Sequence, residues 1–412
     1  MTKVPPDRPR SRQEAPWRAW GTDTFVLAVG LGVQALVPLV MAGLFARRLG
    51  PGPWGHVAMH LSVAALLAAL PNYGFAYTAP RTIAATPPAQ RAAWIAGIAG
   101  ARLMLTVGAF ALAGLLLYGR VGPLRWDGMG VALLGLVAVQ GLRWGWAFEG
   151  SRRFRAASVL MLAGRLAIPL VALALVQGPG DAPLVLVAFS IGAMVEAVAG
   201  GFWLRRVGLL IRPTEGDIRR ALRDGALLFG GQLAVLTYVA ANPLWLGLLV
   251  SPEEAGVYAP AEQLARGLSV VWAPVGRTLV VRLSEMGAPE ADVLLRKVQK
   301  GALLGGALLT GLLLLGASLV PLWLGPSFGR TQEVLQILSP LPALVLVSQV
   351  LGVQGPLARR SDGQVALLLG AGALTNLLAA LVLAPRFGAT GIAAGVVLAE
   401  AVVAALAVRW SR

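Results

Sequence analysis

Residues 92–118 read AAWIAGIAGARLMLTVGAFALAGLLLY, an unbroken apolar run whose only charge is Arg102. About 20 residues of helix cross the ~30 Å hydrocarbon core of a bilayer, so this stretch is long enough to span a membrane. A charge at that depth costs roughly 2.5 to 3.5 kcal/mol on insertion scales, so Arg102 needs a partner, a water-filled cavity or an anionic cargo.

The same pattern recurs along the chain. Apolar runs of spanning length fall at approximately 22–46, 56–79, 92–118, 128–148, 156–177, 183–204, 224–250, 255–281, 299–324, 332–355, 364–384 and 389–410,. Across 412 residues, 57% are hydrophobic and only 13% charged, with a formal net charge of +16. That much apolar surface excludes a soluble domain, and so basic a charge on so apolar a body is not the signature of a nucleic-acid-binding protein. The expected fold class is an all-α integral membrane protein of twelve transmembrane helices.

The basic residues then read as a topology signal. Of the 35 Lys and Arg, 24 fall on the side shared by both termini and six on the other, which predicts cytoplasmic termini,. The polar stretch 1–21 reads as a cytoplasmic tail, and the long apolar run after it as a retained helix rather than a cleaved leader,. Loops shorter than about 20 residues leave no room for an enzymatic domain, so no catalytic residues and no cofactor are expected. The absence of cysteine excludes disulfides and thiolate metal sites, and His56 and His60 have no third ligand near them in sequence,.

An internal repeat relates residues 1–214, whose six-helix bundle is 22–214, to the bundle 215–412. Pro51-Gly52-Pro53-Trp54-Gly55 and Pro252-Glu253-Glu254-Ala255-Gly256 share the pattern P-x-x-x-G at the start of the second and eighth runs. Each run then carries a proline and a glycine at similar depth, Pro71-Asn72-Tyr73-Gly74 and Pro274-Val275-Gly276, which makes Pro71 and Pro274 the candidate hinges,. Because six spans return the chain to its starting side, the two six-helix halves share one orientation and are predicted to be related by a pseudo-twofold along the membrane normal. Such transporters place the cargo site between their halves.

Six charges sit at mid-depth: Arg102, Arg165, Glu196, Glu262, Arg266 and Glu400. Glu262 and Arg266 are four residues apart in the favourable order for a pair on one helix face. Two readings stay open for them: a self-neutralised pair, or a pair that opens when an anion competes for Arg266 and leaves Glu262 to take a proton. Arg102 and Arg165 either pair with Glu196 or line an electropositive lumen, while Arg143 and Arg277, near span ends, are expected to snorkel to the headgroups. Glu400, without a charged neighbour at helical spacing, is either a neutral structural acid or an ion-coupling site.

Ala46 to Gly55, reading ARRLGPGPWG, and Ala255 to Leu264, reading AGVYAPAEQL, resemble the oligosaccharide flippases. These form the polysaccharide-exporter branch of the superfamily that also contains the multidrug and toxin extrusion exporters. The resemblance implies a V-shaped pair of six-helix bundles that opens a central cavity alternately to either side of the bacterial cytoplasmic membrane. The implied cargo is an undecaprenyl-pyrophosphate-linked oligosaccharide for O-antigen, capsule or exopolysaccharide assembly. Membrane lipids, a polysaccharide polymerase and glycosyltransferases are the implied partners. In that setting Arg266, Arg165 and Arg102 are expected to bind the anionic head through paired donors, and Glu262, Glu196 or Glu400 to couple an ion. A cation-coupled drug or metabolite exporter of the same superfamily and a non-transporting scaffold of a synthase complex are the competing expectations.

Overall fold

A computed structural model describes residue 37 and residues 39–269, 288–354 and 362–411. The first run is thus described only at its end, where a π-helical turn, Ala42–Ala46, leads into α1 (Arg47–Leu49). Gly50, at φ 79°, makes the bend into α2 (Pro51–Leu67). Pro51 takes the first helical position, where its missing N–H would have been unsatisfied anyway.

The second run is broken where its proline and glycine predicted a bend. α2 gives way to α3 (Ala69–Asn72), and α4 (Phe75–Ala85) resumes after Tyr73 and Gly74, both in the left-handed region at φ 37° and 78°. Backbone freed inside a membrane needs internal partners. Gly74 N–H donates to Gln232 Oε1 at 3.0 Å across the fold.

α5 (Arg91–Tyr118) is inverted relative to a soluble helix. Leu103, Met104, Val107, Phe110 and Leu115 are exposed, whereas Arg102, Thr106, Ala109 and Ala113 are buried. An apolar outer stripe around a small and polar inner one is the pattern of a helix facing lipid. The fourth run is interrupted between α6 (Gly128–Gln140) and α7 (Gly145–Gly150). α8 (Phe154–Leu175) and α9 (Ala182–Arg206) then cross where Gly164 and Gly192 face each other: a Cβ added at Gly164 would stand 2.7 Å from the Gly192 carbonyl oxygen.

α10 (Glu215–Val239) starts at a capping box, with Asp217 N–H donating to Thr214 Oγ1 at 3.2 Å and Thr214 N–H to Asp217 Oδ2 at 3.1 Å. It packs along α5: a Cβ at Gly97 would meet the Asp217 carbonyl oxygen at 2.6 Å. α11 (Asn242–Leu249) completes the seventh run, and α12 (Pro252–Ser269) begins the eighth. Here the two P-x-x-x-G motifs meet. Gly55 lies against the Pro252 carbonyl and Gly256 against the Pro51 carbonyl, so each glycine makes room for the other motif's proline turn.

The later elements are α13 (Ala288–Gly316), α14 (Val320–Leu324), α15 (Gly329–Leu338) and α16 (Leu341–Val347), the last followed by a π-helical stretch, Ser348–Gln354. α17 (Asp362–Ser411) is nominally one element but turns at Gly388, φ 60° and ψ −133°. Gly395 stands where a Cβ would meet Ala379 Cβ at 2.8 Å, and Gly372 where one would meet Val403 Cγ2 at 2.7 Å. Residues at nearly matching distances on either side of Gly388 therefore touch, and the eleventh and twelfth runs form an antiparallel hairpin. Glu254 stabilises the turn by accepting from Ala389 N–H at 2.7 Å while it pairs with Arg330.

Among the described residues, eight helical stretches are long and apolar enough to cross a membrane, with the hairpin counted as one. The largest apolar cluster joins Trp54 and Met59 of α2 with Tyr258 of α12, Val334 of α15 and Ile392 of α17. Two smaller clusters lie apart from it, one around Phe75, Ile98, Trp146 and Phe148, the other around Leu346, Leu368 and Val403.

Candidate anion-binding cavity

The break between α6 and α7 builds the first polar cluster. Residues 141–144 leave the helix, exposing the Gly141 carbonyl, which accepts from Arg102 Nε at 3.0 Å. Arg102 Nη1 also donates to Asn72 Oδ1 at 3.1 Å, and its guanidinium lies 5.9 Å from the Trp146 ring centroid. Arg102 therefore ties together two interrupted helices, at the Asn72 and Gly141 breaks. It is 4% exposed and is not among the residues lining the cavity.

Arg143 follows from the same break. It does not reach outward to the headgroups as its place near a span end suggested, because the unwound backbone turns its side chain inward to Glu196 of α9. Nε and Nη2 lie 2.7 and 2.6 Å from Glu196 Oε2. Glu196 is thus neutralised by Arg143, not by Arg102 or Arg165.

These groups open on a cavity of about 340 Å³ whose polar lining comprises Asn72, Gln140, Arg143, Arg165, Glu196 and Gln232. Arg165, one residue past the Gly164 crossing, makes no hydrogen bond among the described residues, and its Nε is buried. Among the described residues the cavity lining holds two guanidinium groups against one carboxylate, a net charge of +1. A planar guanidinium with unused donors suits a phosphate or carboxylate, which it can grip through two oxygens.

A second cluster joins α11, α12 and α17. Glu262 Oε1 accepts from Arg266 Nε and from Asn242 Nδ2, both at 3.0 Å. Asn242 Nδ2 also lies 3.2 Å from Tyr258 Oη, and Asn242 Oδ1 accepts from Asn376 Nδ2 at 3.0 Å. Asn242 and Tyr258 are fully buried, Asn376 nearly so. The expected pairing of Glu262 with Arg266 is present, but as one part of a network that crosses three helices.

The remaining sequence candidates are separate. Glu400 is buried on the second arm of the hairpin and makes no hydrogen bond or ion pair among the described residues. Pro71 lies in α3 just before the left-handed turn, while Pro274 and Arg277 fall outside the described residues. Asn72, Asn242, Asn376 and Gln232 escaped the sequence reading because a neutral amide in an apolar run carries none of the insertion penalty that marks an arginine. The available signal was an amide at mid-span, which in a membrane calls for an interhelical partner.

The class is a helical membrane protein, and its fold is shared by solved transporters of the MOP superfamily. Superposition covers 92% of this chain and 87% of a structure titled "Lipid II flippase MurJ, inward closed conformation", with a TM-score of 0.71 and 11% identity. An inward-facing multidrug resistance MATE family transporter of the MOP superfamily matches with a TM-score of 0.68 and 14% identity, covering 93% of this chain and 94% of that one. The family profile described as polysaccharide biosynthesis protein matches residues 21–286, and the chain belongs to that family. It is 25% identical over 406 residues, 94% of this chain and 95% of the relative, to a protein named "Putative O-antigen transporter" in Escherichia coli (strain K12). A protein of the same name in Shigella dysenteriae is 21% identical over 381 residues, covering 90% of this chain and 95% of its own length.

Proposed function

We propose that this protein flips an undecaprenyl-pyrophosphate-linked oligosaccharide across the bacterial cytoplasmic membrane by alternating access. Its halves would be two six-helix bundles, 22–214 and 215–412, with both termini cytoplasmic. The observation that carries the reading is the cavity of Arg143, Arg165 and Glu196, in which Arg165 has no hydrogen-bonding partner among the described residues. A pyrophosphate head would meet Arg165 and Arg143 there while the lipid tail stays in the bilayer.

The distribution of apolar packing supports two-sided access. One large cluster ties α2 to α12, and a separate smaller cluster, which joins Phe75 and Ile98 to Ala221 of α10, gives a second seam between the halves that can part while that junction holds. The left-handed turn after Pro71 is a place for α4 to swing relative to α2, the role proposed for Pro71 and, by the repeat, for Pro274. Arg266 is proposed as a second contact for the head and Glu262 as an ion-coupling acid; Arg102 would hold the cavity wall. A cation-coupled drug or metabolite exporter is the competing reading, but a cavity whose described lining carries net positive charge repels cationic cargo.

The test is surface polysaccharide in a strain that depends on this chain. Replacing Arg143 and Arg165 together by Ala, at normal membrane abundance, is expected to abolish it. Wild-type polysaccharide in that double variant would refute the site.

A further inference from the structure

Glu196 occupies a position that an external anion would want. Its carboxylate holds Arg143 at 2.6 Å, and its side chain is 4% exposed against 32% for Arg143. Beside it Arg165 has no hydrogen bond among the described residues, so the cavity contains one guanidinium already answered by a carboxylate and one without such an answer there. The charges around Glu196 are Arg143 from the break between α6 and α7, Arg165 from α8 and, behind them, Arg102 from α5. We propose that Glu196 is a charge filter: a tethered internal anion that admits only ligands carrying at least two negative charges to the Arg143–Arg165 pair.

The physical basis is competition between a tethered and a free anion. A carboxylate fixed by α9 presents Arg143 with a high effective concentration that a monovalent ion in solution does not match. Chloride offers a single charge and no paired oxygens. A diphosphate can engage Arg165 first, through donors with no hydrogen-bond partner among the described residues, and then take Arg143 from Glu196 with a second phosphoryl group. The filter would keep the cavity clear of the cell's abundant monovalent anions while leaving it open to a polyanionic head. The inference rests on the proposed reading of this cavity as the head-group site, but concerns how the site chooses its anion.

The test is calorimetric titration of inorganic pyrophosphate into the purified full-length protein, in chloride and in fluoride buffers of equal ionic strength, fluoride being the monovalent anion whose tight hydration keeps it off a guanidinium. Wild type is expected to bind equally in both, and Arg165→Ala to lose at least about tenfold in affinity. Glu196→Gln keeps an oxygen acceptor for Arg143 but removes the charge. It should bind pyrophosphate about tenfold tighter in fluoride and lose most of that gain in chloride, because chloride can now compete. Glu196→Asp should restore indifference to chloride, which a merely structural role for Glu196 does not predict.

Pyrophosphate binding by Glu196→Gln that is weaker than wild type, or equally insensitive to chloride, overturns the filter, as does a wild type that binds no pyrophosphate. The cargo reading fails separately. If the chloride effect appears as described while cells carrying the Arg143 and Arg165 double substitution still make polysaccharide, the filter stands and the lipid-linked cargo does not.

Discussion

The Gly164–Gly192 crossing gives a quantitative prediction because it fixes the distance between the helices that carry Arg165 and Glu196. A Cβ placed on Gly192 would stand 2.5 Å from the Gly164 carbonyl oxygen and 2.6 Å from Ile168 Cγ1, and one on Gly164 would stand 2.7 Å from the Gly192 oxygen. Carbon and carbonyl oxygen rarely approach closer than about 3.3 Å. α8 and α9 must therefore part by about 0.6 to 0.8 Å to accept alanine. Overpacking of this kind costs about 1 to 3 kcal/mol, and alanine's better helix propensity returns up to about 1 kcal/mol. With that gain taken in full, the expected net loss for Gly192→Ala is about 0 to 2 kcal/mol.

The control is internal. Gly108 and Gly114 lie on α5 with nothing within 4 Å of an added Cβ, so alanine there should stabilise by up to about 1 kcal/mol. Unfolding of the purified protein with SDS in mixed micelles, followed by tryptophan fluorescence, reads both signs in one assay. Gly164→Ala with Gly192→Ala should cost less than the sum of the two, since a single parting of the helices relieves both contacts. If Gly192→Ala proves as stable as Gly108→Ala, the crossing is not as close as described and the reasoning fails.

Two other perturbations have definite outcomes. Asn242→Ala removes a donor from Glu262 and the acceptor of Asn376, and should destabilise by about 1 to 3 kcal/mol in the same assay; an unchanged midpoint would show that the three-helix network carries no stability. At the membrane surface, Thr214 donates to Asp217 from its hydroxyl at 2.6 Å and from its amide at 3.1 Å, holding that carboxyl below its ordinary value. A depressed folded-state value stabilises the start of α10 above the carboxyl's unfolded value and loses that stabilisation as pH falls through the folded one. Protection factors at residues 217–219, exchange taken relative to the intrinsic rate at each pH, should therefore fall on acidification in wild type, and Thr214→Ala, which loses a cap of about 1 kcal/mol, should show low protection at every pH. Identical protection in the two proteins at neutral pH would exclude the cap.

Sequence by itself settled the membrane class, because hydrophobic length is a local property and the cost of leaving a helix out of the bilayer scales with it. It also marked the P-x-x-x-G motifs, the bend after Pro71 and the Glu262–Arg266 pair, each defined by neighbours within one turn or one run. Partnerships across the fold were a different matter. The eleventh and twelfth runs read as two spans, yet only the contacts about Gly388 show them folded onto each other. Nothing in spacing separates Arg102, spent on Gly141 and Asn72, from Arg165, left open to the cavity. The inward turn of Arg143 depends on a helix break 53 residues before its partner Glu196. Depth in the membrane follows from one-dimensional order, so the sequence could price each arginine; whether that price is met by a carboxylate, a carbonyl or a cavity is fixed only when distant helices cross.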